Sequence, residues 1–226
     1  MEHGSVEEKP PGPLPVLLLG LTAVTGLVDA FSFLALGHVF VANVTGNVIF
    51  LGFALAGAGE VPLTPILAAI VPFALGALAG GRVIARRPAH HHHLLAAAAG
   101  VEAVILAGAA VVATVSGLEE SRHVILVALS FAMGIQTAVA HRVAFPDMPT
   151  TFVTMTFTGL IADSTVRSIR ARRALAVGAL LIGAIIGGLL DRFAHHATPL
   201  WVAVVVLASI AVTSFLAARK TVPAHR

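Results

Sequence analysis

The stretch GHVFVANVTGN, from Gly37 to Asn47, interrupts a chain that is otherwise mostly apolar. It places two asparagines, a threonine and two glycines between two apolar runs. The run that follows, residues 44–58, would form a helix of about 22 Å at 1.5 Å per residue. A bilayer core is about 30 Å thick, so such a helix could not cross it. We therefore predict that the polar stretch is the entrance to a half-helix, with asparagine or threonine capping its first turn.

Composition indicates a membrane protein. Apolar residues make up 58% of the 226 residues and charged residues 11%, whereas soluble domains contain roughly 45–50% and about 25%. Lipid offers no hydrogen-bond partners to open sheet edges, so each apolar run is interpreted as a helix. The predicted fold class is all-α, a polytopic membrane helix bundle whose main partner is the lipid bilayer. The apolar runs cover residues 14–36, 44–58, 63–81, 94–115, 124–140, 151–162, 174–190 and 199–218.

The two shortest runs hold equivalent places in an internal repeat. LGALAGGRVIARRPAHH, from Leu75, aligns with LIGAIIGGLLDRFAHH, from Leu181, and superposes three glycines at an offset of 107. Gly26 and Gly134 match at an offset of 108. The GxxxG spacings within these blocks suit close helix contact, either inside the bundle or in a homo-oligomer. We predict a duplication with repeat 1 over residues 14–115 and repeat 2 over residues 124–217.

The basic residues distinguish six crossings from eight. If all eight runs cross, nine of the fourteen Lys and Arg residues lie on the side of the N-terminus and five on the other. If the two short runs instead return to the side they left, the division becomes twelve against two, with Arg122 and Arg192 outside. The positive-inside rule favours the second arrangement. We predict six spans plus two short re-entrant half-helices in an inverted repeat; the alternative is eight short spans in a parallel repeat.

The same rule orients the chain. Residues 1–13 lack the basic n-region and cleavage site of a signal peptide, so the first apolar run is expected to remain as a membrane helix. The charge division makes residues 1–13 a cytoplasmic N-terminal tail. Residues 14–217 form a single membrane domain, and residues 218–226 a cytoplasmic C-terminal tail. Both termini are therefore expected in the cytoplasm. The basic residues in the short loops indicate topology, so no nucleic-acid partner is expected.

Polar side chains concentrate at the breaks. Asp29 lies fifteen residues into the first run, and ionisable residues inside spans usually face the bundle interior. Solute or proton binding and a capping or interhelical hydrogen bond are both open for it. The stretch PDMPTT, residues 146–151, matches the first break, and simple interfacial capping is the alternative for both breaks. The predicted solute-binding residues are Asp29, Asn43, Thr45 and Asn47 from one half, with Gln136, Asp147, Thr151 and Thr154 from the other.

The chain lacks the familiar motifs of catalysis. There is no Gly-rich phosphate loop, HExxH zinc motif or GxSxG elbow, so neither enzymatic activity nor a cofactor is expected. The absence of cysteine excludes disulfides and thiolate sites. The tetrad from His90 to His93 could suggest a metal site. No acidic cluster accompanies it, and adjacent histidines point in different directions on a helix, so we predict a solvated loop and no resident metal.

Two blocks carry a family resemblance. GLVDAFSFLALGHVFVANVTGN and FAMGIQTAVAHRVAFPDMPTTFVTMTFTGLIADS resemble the YoaK-like bacterial membrane proteins, a family defined by a domain of unknown function. The likeness extends from Leu14 to Ala217. Val44 stands where a methionine is frequent in the family, and Pro149 where a polar residue is. The resemblance implies a multi-pass protein of the bacterial cytoplasmic (inner) membrane, and it implies no substrate.

Two classes of function fit these features. The preferred one is a small-solute transporter or channel whose site lies at the paired half-helix N-termini. The helix dipoles there favour anions, whereas Asp29 and Asp147 favour cations or protons, so the sign of the solute is open. The alternative is a non-transporting membrane scaffold that binds a partner protein through its glycine-rich faces. The two functions differ in one structural requirement, because a transporter or channel needs a hydrated path through the bundle and a scaffold does not.

Overall fold

The computed structural model of the protein describes residues 13–59, 61–86, 91–143, 156–158, 161 and 167–220. All regular structure in these residues is helical, as the apolar runs predict. The helices are α1 (Leu14–Ala35), α2 (Val44–Leu55), α3 (Leu63–Arg86), α4 (His91–Val115), α5 (Leu118–Val143), α6 (Arg167–Phe193) and α7 (Thr198–Lys220).

Six of these helices are long and apolar enough to cross a membrane, namely all except α2. Helix α2 has 12 residues, which is about 18 Å at 1.5 Å per residue. Large apolar side chains are exposed around the bundle, as expected where helices face hydrocarbon. The prediction of a helical multi-pass membrane bundle is thereby confirmed.

Several helices begin earlier than their apolar runs. Helix α5 begins at Leu118 instead of residue 124, because the polar residues before the run continue the same helix. Helix α4 begins at His91, three residues before its apolar run. The prediction that these histidines form a loop is therefore wrong for His91 to His93, which make the first turn of α4. His92 is buried there.

A cavity at one end of the bundle defines the directions of the helices. The cavity has a volume of about 490 Å³ and is lined by residues from the end of α1, the turn between α4 and α5, the start of α5, the end of α6 and the turn between α6 and α7. Helix α3 begins at the same end, because Gly37, just after α1, lies against Pro65 in the first turn of α3. The six long helices therefore alternate in direction along the chain. We call this end the cavity end.

Glycines let two pairs of helices pack closely. Gly26 of α1 lies against the carbonyl of Leu180 in α6, and Gly134 of α5 lies against the carbonyl of Phe73 in α3. A Cβ atom at either glycine would overlap that facing backbone. Contact between small residues is the usual way in which membrane helices approach each other, since lipid provides little hydrophobic force between them. These contacts make α1 with α6, and α3 with α5, the closely packed pairs of the bundle.

The partner helices carry glycines at matching positions. Gly183 of α6 lies against the carbonyl of Ala23 in α1, and Gly76 of α3 lies against the carbonyl of Phe131 in α5. The glycines are 107 positions apart and their partners 108. The contacts of Gly26 and Gly134 are related by the same two offsets. Each contact between α1 and α6 thus recurs between α5 and α3, with the order of the two halves exchanged.

The Gly26→Ala substitution should destabilise the protein by about 1–3 kcal/mol, because the added methyl group forces α1 away from the Leu180 carbonyl. The measurement is the thermal unfolding midpoint in detergent. Gly178→Ala in α6 is the matched control, since a Cβ atom there meets nothing within 4 Å. Equal midpoints for the two variants would show that these close crossings do not limit stability.

Candidate functional site

Helix α1 ends in a glycine-based cap that starts the break. The N–H of His38 donates to the carbonyl of Phe33 at 3.2 Å. This bond, between residues five positions apart, corresponds to the 6→1 hydrogen bond of a Schellman motif. Gly37 adopts φ 112°, in the left-handed region that favours glycine. The first residue of GHVFVANVTGN is therefore the helix stop, and the chain turns back along α1 after it.

Two side chains of α1 hold the returning chain. One carboxylate oxygen of Asp29, Oδ1, accepts hydrogen bonds from the N–H groups of Val41 at 2.9 Å and Ala42 at 2.8 Å. The hydroxyl of Ser32 donates to the carbonyl of Val39 at 2.9 Å. Backbone groups that are unpaired inside a membrane protein cost several kcal/mol each, so these bonds are what allows a non-helical segment there.

Asn47 holds the same segment from the other side. Its Oδ1 accepts from the N–H of Phe40 at 2.9 Å, and its Nδ2 donates to the carbonyl of that residue. Asn47 is only 1% exposed. The Phe40 ring stacks on Phe33 with ring centroids 5.1 Å apart and packs on Gly46, where a Cβ atom would come within 2.9 Å of the ring. Asn47, through hydrogen bonds, and Gly46, through packing, thus hold the start of α2 against Phe40 of the loop.

The break descends along α1. Asp29 lies six residues before the end of α1, or about 9 Å from the cavity end at 1.5 Å per residue. Residues 41 and 42 lie at this depth because they bond to Asp29. Helix α2 starts directly after them at Val44. The predicted entrance of a short helix is therefore present, below the level at which α1 ends and α3 begins.

The start of α2 lacks the predicted side-chain cap. Asn43 occupies the N-cap position of α2, but its side chain forms no capping hydrogen bond. Asn43 and Thr45 are both exposed, whereas Asn47 in the second turn is buried. The prediction of a side-chain cap at this helix is wrong, because the loop instead satisfies its backbone through Asp29, Ser32 and Asn47. Asp147, Thr151 and Thr154 lie outside the described residues.

A second polar group lies inside the bundle and joins three helices. Gln136 of α5 is within 2.9 Å of the Thr25 hydroxyl of α1 on one side of its amide. On the other side, it is 2.7 and 2.9 Å from the two carboxyl oxygens of Glu102 in α4. Glu102 is 1% exposed and Gln136 is 5% exposed. Thr25 is one helical turn from Asp29 on the same face of α1, which places this group next to the loop contacts.

Sequence reasoning identified Gln136 but did not include Glu102 or Thr25 in the site. The available signal was Glu102 itself, an acidic residue in the middle of a long apolar run. Nothing in the sequence pairs it with Gln136, 34 positions later. In the described part of the chain, no three His, Asp or Glu side chains come together as metal ligands do.

Comparison with known proteins identifies the family. Residues 17–213 match the family described as protein of unknown function (DUF1275). The chain is 30% identical over 211 residues to the UPF0700 transmembrane protein YoaK of Bacillus subtilis (strain 168), an alignment that covers 88% of this chain and 92% of that protein. No solved structure matches the chain. The chain therefore belongs to the DUF1275 family, and the resemblance to YoaK-like membrane proteins is confirmed.

The Asn47→Leu substitution should destabilise the loop, because it leaves the N–H and carbonyl of Phe40 without their bonds to Asn47. The expected cost is about 1–3 kcal/mol for each group that finds no other partner. The thermal midpoint in detergent should fall and proteolysis within residues 38–43 should increase. Asn43→Leu is the control with the same change of side chain, at a position without a capping bond. A loop that is equally protected in both variants would contradict the role assigned to Asn47.

Proposed function

We propose that this member of the DUF1275 family is a small-solute transporter or channel with six crossings and two re-entrant half-helices. The observation that carries the proposal is a pair of acidic side chains, Asp29 and Glu102, inside the spans. Neither carboxyl has a Lys, Arg or His partner in the described part of the chain. Charged groups are costly at such positions and usually mark the paths of ions, protons or solutes.

The contacts of α2 support a re-entrant first half-helix. Its N-terminus lies at the depth of Asp29, while Gly37 before it and Pro65 after it are neighbours at the cavity end. A segment whose two flanks meet at one end of the bundle enters and returns instead of crossing. The second half-helix is proposed over residues 151–162 by analogy, from the sequence repeat alone.

The glycine contacts support an inverted duplication. Each half supplies three long helices, α1, α3 and α4 in the first and α5, α6 and α7 in the second. An odd number of crossings makes the second half run opposite to the first. The contacts at Gly26 and Gly183 recur at Gly134 and Gly76 with the halves exchanged, as an axis in the membrane plane requires. The proposed repeats are residues 14–115 and 124–217.

The charges support the predicted orientation. The end of the bundle opposite the cavity holds most of the basic residues of the described chain, whereas Arg122 and Arg192 lie at the cavity end. Under the positive-inside rule, this distribution supports a bacterial inner-membrane protein with its cavity end outside and both termini in the cytoplasm. The basic positions of the described helices at the opposite end are Arg82 and Arg86 of α3, Arg142 of α5, Arg167, Arg170, Arg172 and Arg173 of α6, and Arg219 and Lys220 of α7.

The proposed solute site is centred on the start of α2. Asp29 and Asn47 shape the loop there, while Asn43 and Thr45 expose their side chains beside it. Among the described members of the predicted set, Asn43 and Thr45 are therefore the ones whose side chains are exposed and available to a solute. The dipole of α2 favours an anionic group at its N-terminus, and the nearby carboxyl of Asp29 favours a cation or proton.

A non-transporting scaffold is the second candidate. The exposure of helix α6 favours a scaffold, because only 17% of its apolar stretch is buried in the bundle. A wide apolar face of this kind suits either lipid or a partner helix. The two functions differ in whether the polar groups of the bundle are reached by water and solute. The exposed apolar residues of this face include Leu175, Leu181, Ile182, Ile185 and Leu189.

The first test is topological. Single cysteines in this cysteine-free chain should react with an impermeant thiol reagent in intact cells at Gly117 and Ala58, near the cavity end. A cysteine at Arg170 should react only after the membrane is opened, because the basic end is cytoplasmic. Labelling of Arg170→Cys in intact cells, with protection of Gly117→Cys, would refute the orientation. Opposite accessibilities of Ala58→Cys and Gly117→Cys would refute the non-crossing path of α2.

The second test is flux in proteoliposomes screened over small ions and polar solutes. Asn43→Leu should fold normally, since its side chain forms no capping bond, yet reduce transport about tenfold, which corresponds to about 1.4 kcal/mol of lost interaction. Ser209→Ala is the control, on α7 and exposed. Equal flux in the wild-type protein and Asn43→Leu would contradict a solute site at Asn43. If no solute moves faster through the wild-type protein than through protein-free liposomes, the transporter proposal fails and the scaffold takes its place.

A further inference from the structure

The group of Glu102, Gln136 and Thr25 can form two complete hydrogen-bond chains. The Gln136 amide lies between the other two side chains, 2.9 Å from the Thr25 hydroxyl and 2.7 Å from the nearer carboxyl oxygen of Glu102. The Thr25 hydroxyl is also 3.0 Å from the carbonyl of Leu21, one turn back in α1. An amide has a donor at one end and an acceptor at the other, so its orientation sets the direction of the whole chain.

In the first chain, Glu102 is protonated. Its O–H donates to Oε1 of Gln136, Nε2 of Gln136 donates to the Thr25 hydroxyl, and that hydroxyl donates to the Leu21 carbonyl. Each contact along this chain then joins a donor to an acceptor.

In the second chain, Glu102 is ionised. The amide is rotated by half a turn, so that Nε2 donates to the carboxylate and Oε1 accepts from the Thr25 hydroxyl. The hydroxyl has one proton, so it releases the Leu21 carbonyl. The two protonation states therefore require opposite amide orientations.

We infer that Glu102 binds a proton and that the Gln136 amide reverses its orientation when the proton binds or leaves. This reversal changes the hydrogen bond between Gln136 and Thr25 of α1. Proton release converts the carboxylic acid to a carboxylate and transfers the proton to water when the bundle opens; uptake reverses both steps. The inference rests on the proposed transport function and adds the proton as the coupled ion. The link to the solute site runs through Thr25, which lies one turn from Asp29 on α1.

Among the titratable groups of the surrounding helices, Glu102 is the one that is placed to exchange a proton with this hydrogen-bond chain. Helix α4 packs against α5 and α7, and α1 contributes Thr25. Among the described residues, Asp29 is the other acid inside these helices, and its Oδ1 already accepts two backbone bonds. The remaining charged or titratable groups of these four helices lie near helix ends: His91 to His93 on α4, Glu119, Glu120, Arg122, His123, His141 and Arg142 on α5, and Arg219 and Lys220 on α7.

The test is infrared difference spectroscopy of the purified full-length protein in lipid bilayers, between acidic and alkaline buffer. The wild-type protein should show a protonated carboxyl band that disappears at alkaline pH. Glu102→Gln should lose that band, while Glu119→Gln and Asp29→Asn keep it. Glu119 is a suitable control because its side chain is 83% exposed. Gln at position 102 can donate to Gln136 as the acid does, so folding should persist.

A second variant tests the relay independently of Glu102. Thr25→Val removes the hydroxyl that both chains use, so the Glu102 band should shift in frequency while Ser209→Ala leaves it unchanged. A wild-type spectrum with no such band, or with a band that is identical at both pH values, would overturn the inference, as would an unshifted band in Thr25→Val. If the band titrates and shifts as expected but no solute flux is found, the transport function fails and the proton site stands.

Discussion

The need to pair backbone groups in a non-helical segment inside the bundle constrains this end of the molecule. After the cap of α1, residues 39–43 cannot use helical hydrogen bonds, and lipid offers no substitute. Asp29, Ser32 and Asn47 provide the partners. Gly37 allows the sharp exit from α1, and Gly46 makes room for the ring of Phe40. The stretch GHVFVANVTGN therefore combines a stop, a loop and a helix start.

Helix packing connects the polar break to the rest of the bundle. The glycines of α1 and α5 bring their partner helices α6 and α3 into direct backbone contact. Helix α4 packs with α7 and α5, and it contributes Glu102 to the buried polar group. A proton site at Glu102 would lie where α1, α4 and α5 meet. A change there would act on the closely packed pair of α1 and α6 and, through α1, on the loop at Asp29. This arrangement is the physical basis for proposing a coupled transporter.

Much of the fold follows from the sequence, because apolar run length and glycine spacing are properties of the chain itself. The start of α2 at Val44 and the six long helices were predictable on this basis. The roles of the polar residues were not. Asn43 and Asn47 are chemically identical, and only the path of the loop decides that Asn47 binds backbone while Asn43 is exposed. The contact of Glu102 with Gln136 likewise depends on how α4 packs against α5, which no local pattern encodes.

The most direct test of the central claim is the depth of α2 in the bilayer, measured with spin labels and paramagnetic quenchers in lipid and water. Labels at Asn43, Ala56 and Leu63 follow the path from the break to the start of α3. The label at Asn43 should be deepest, while those at Ala56 and Leu63 should lie near the same interface. A steady progression that places Ala56 at the opposite interface from the end of α1 would contradict the re-entrant path and the inverted architecture built on it.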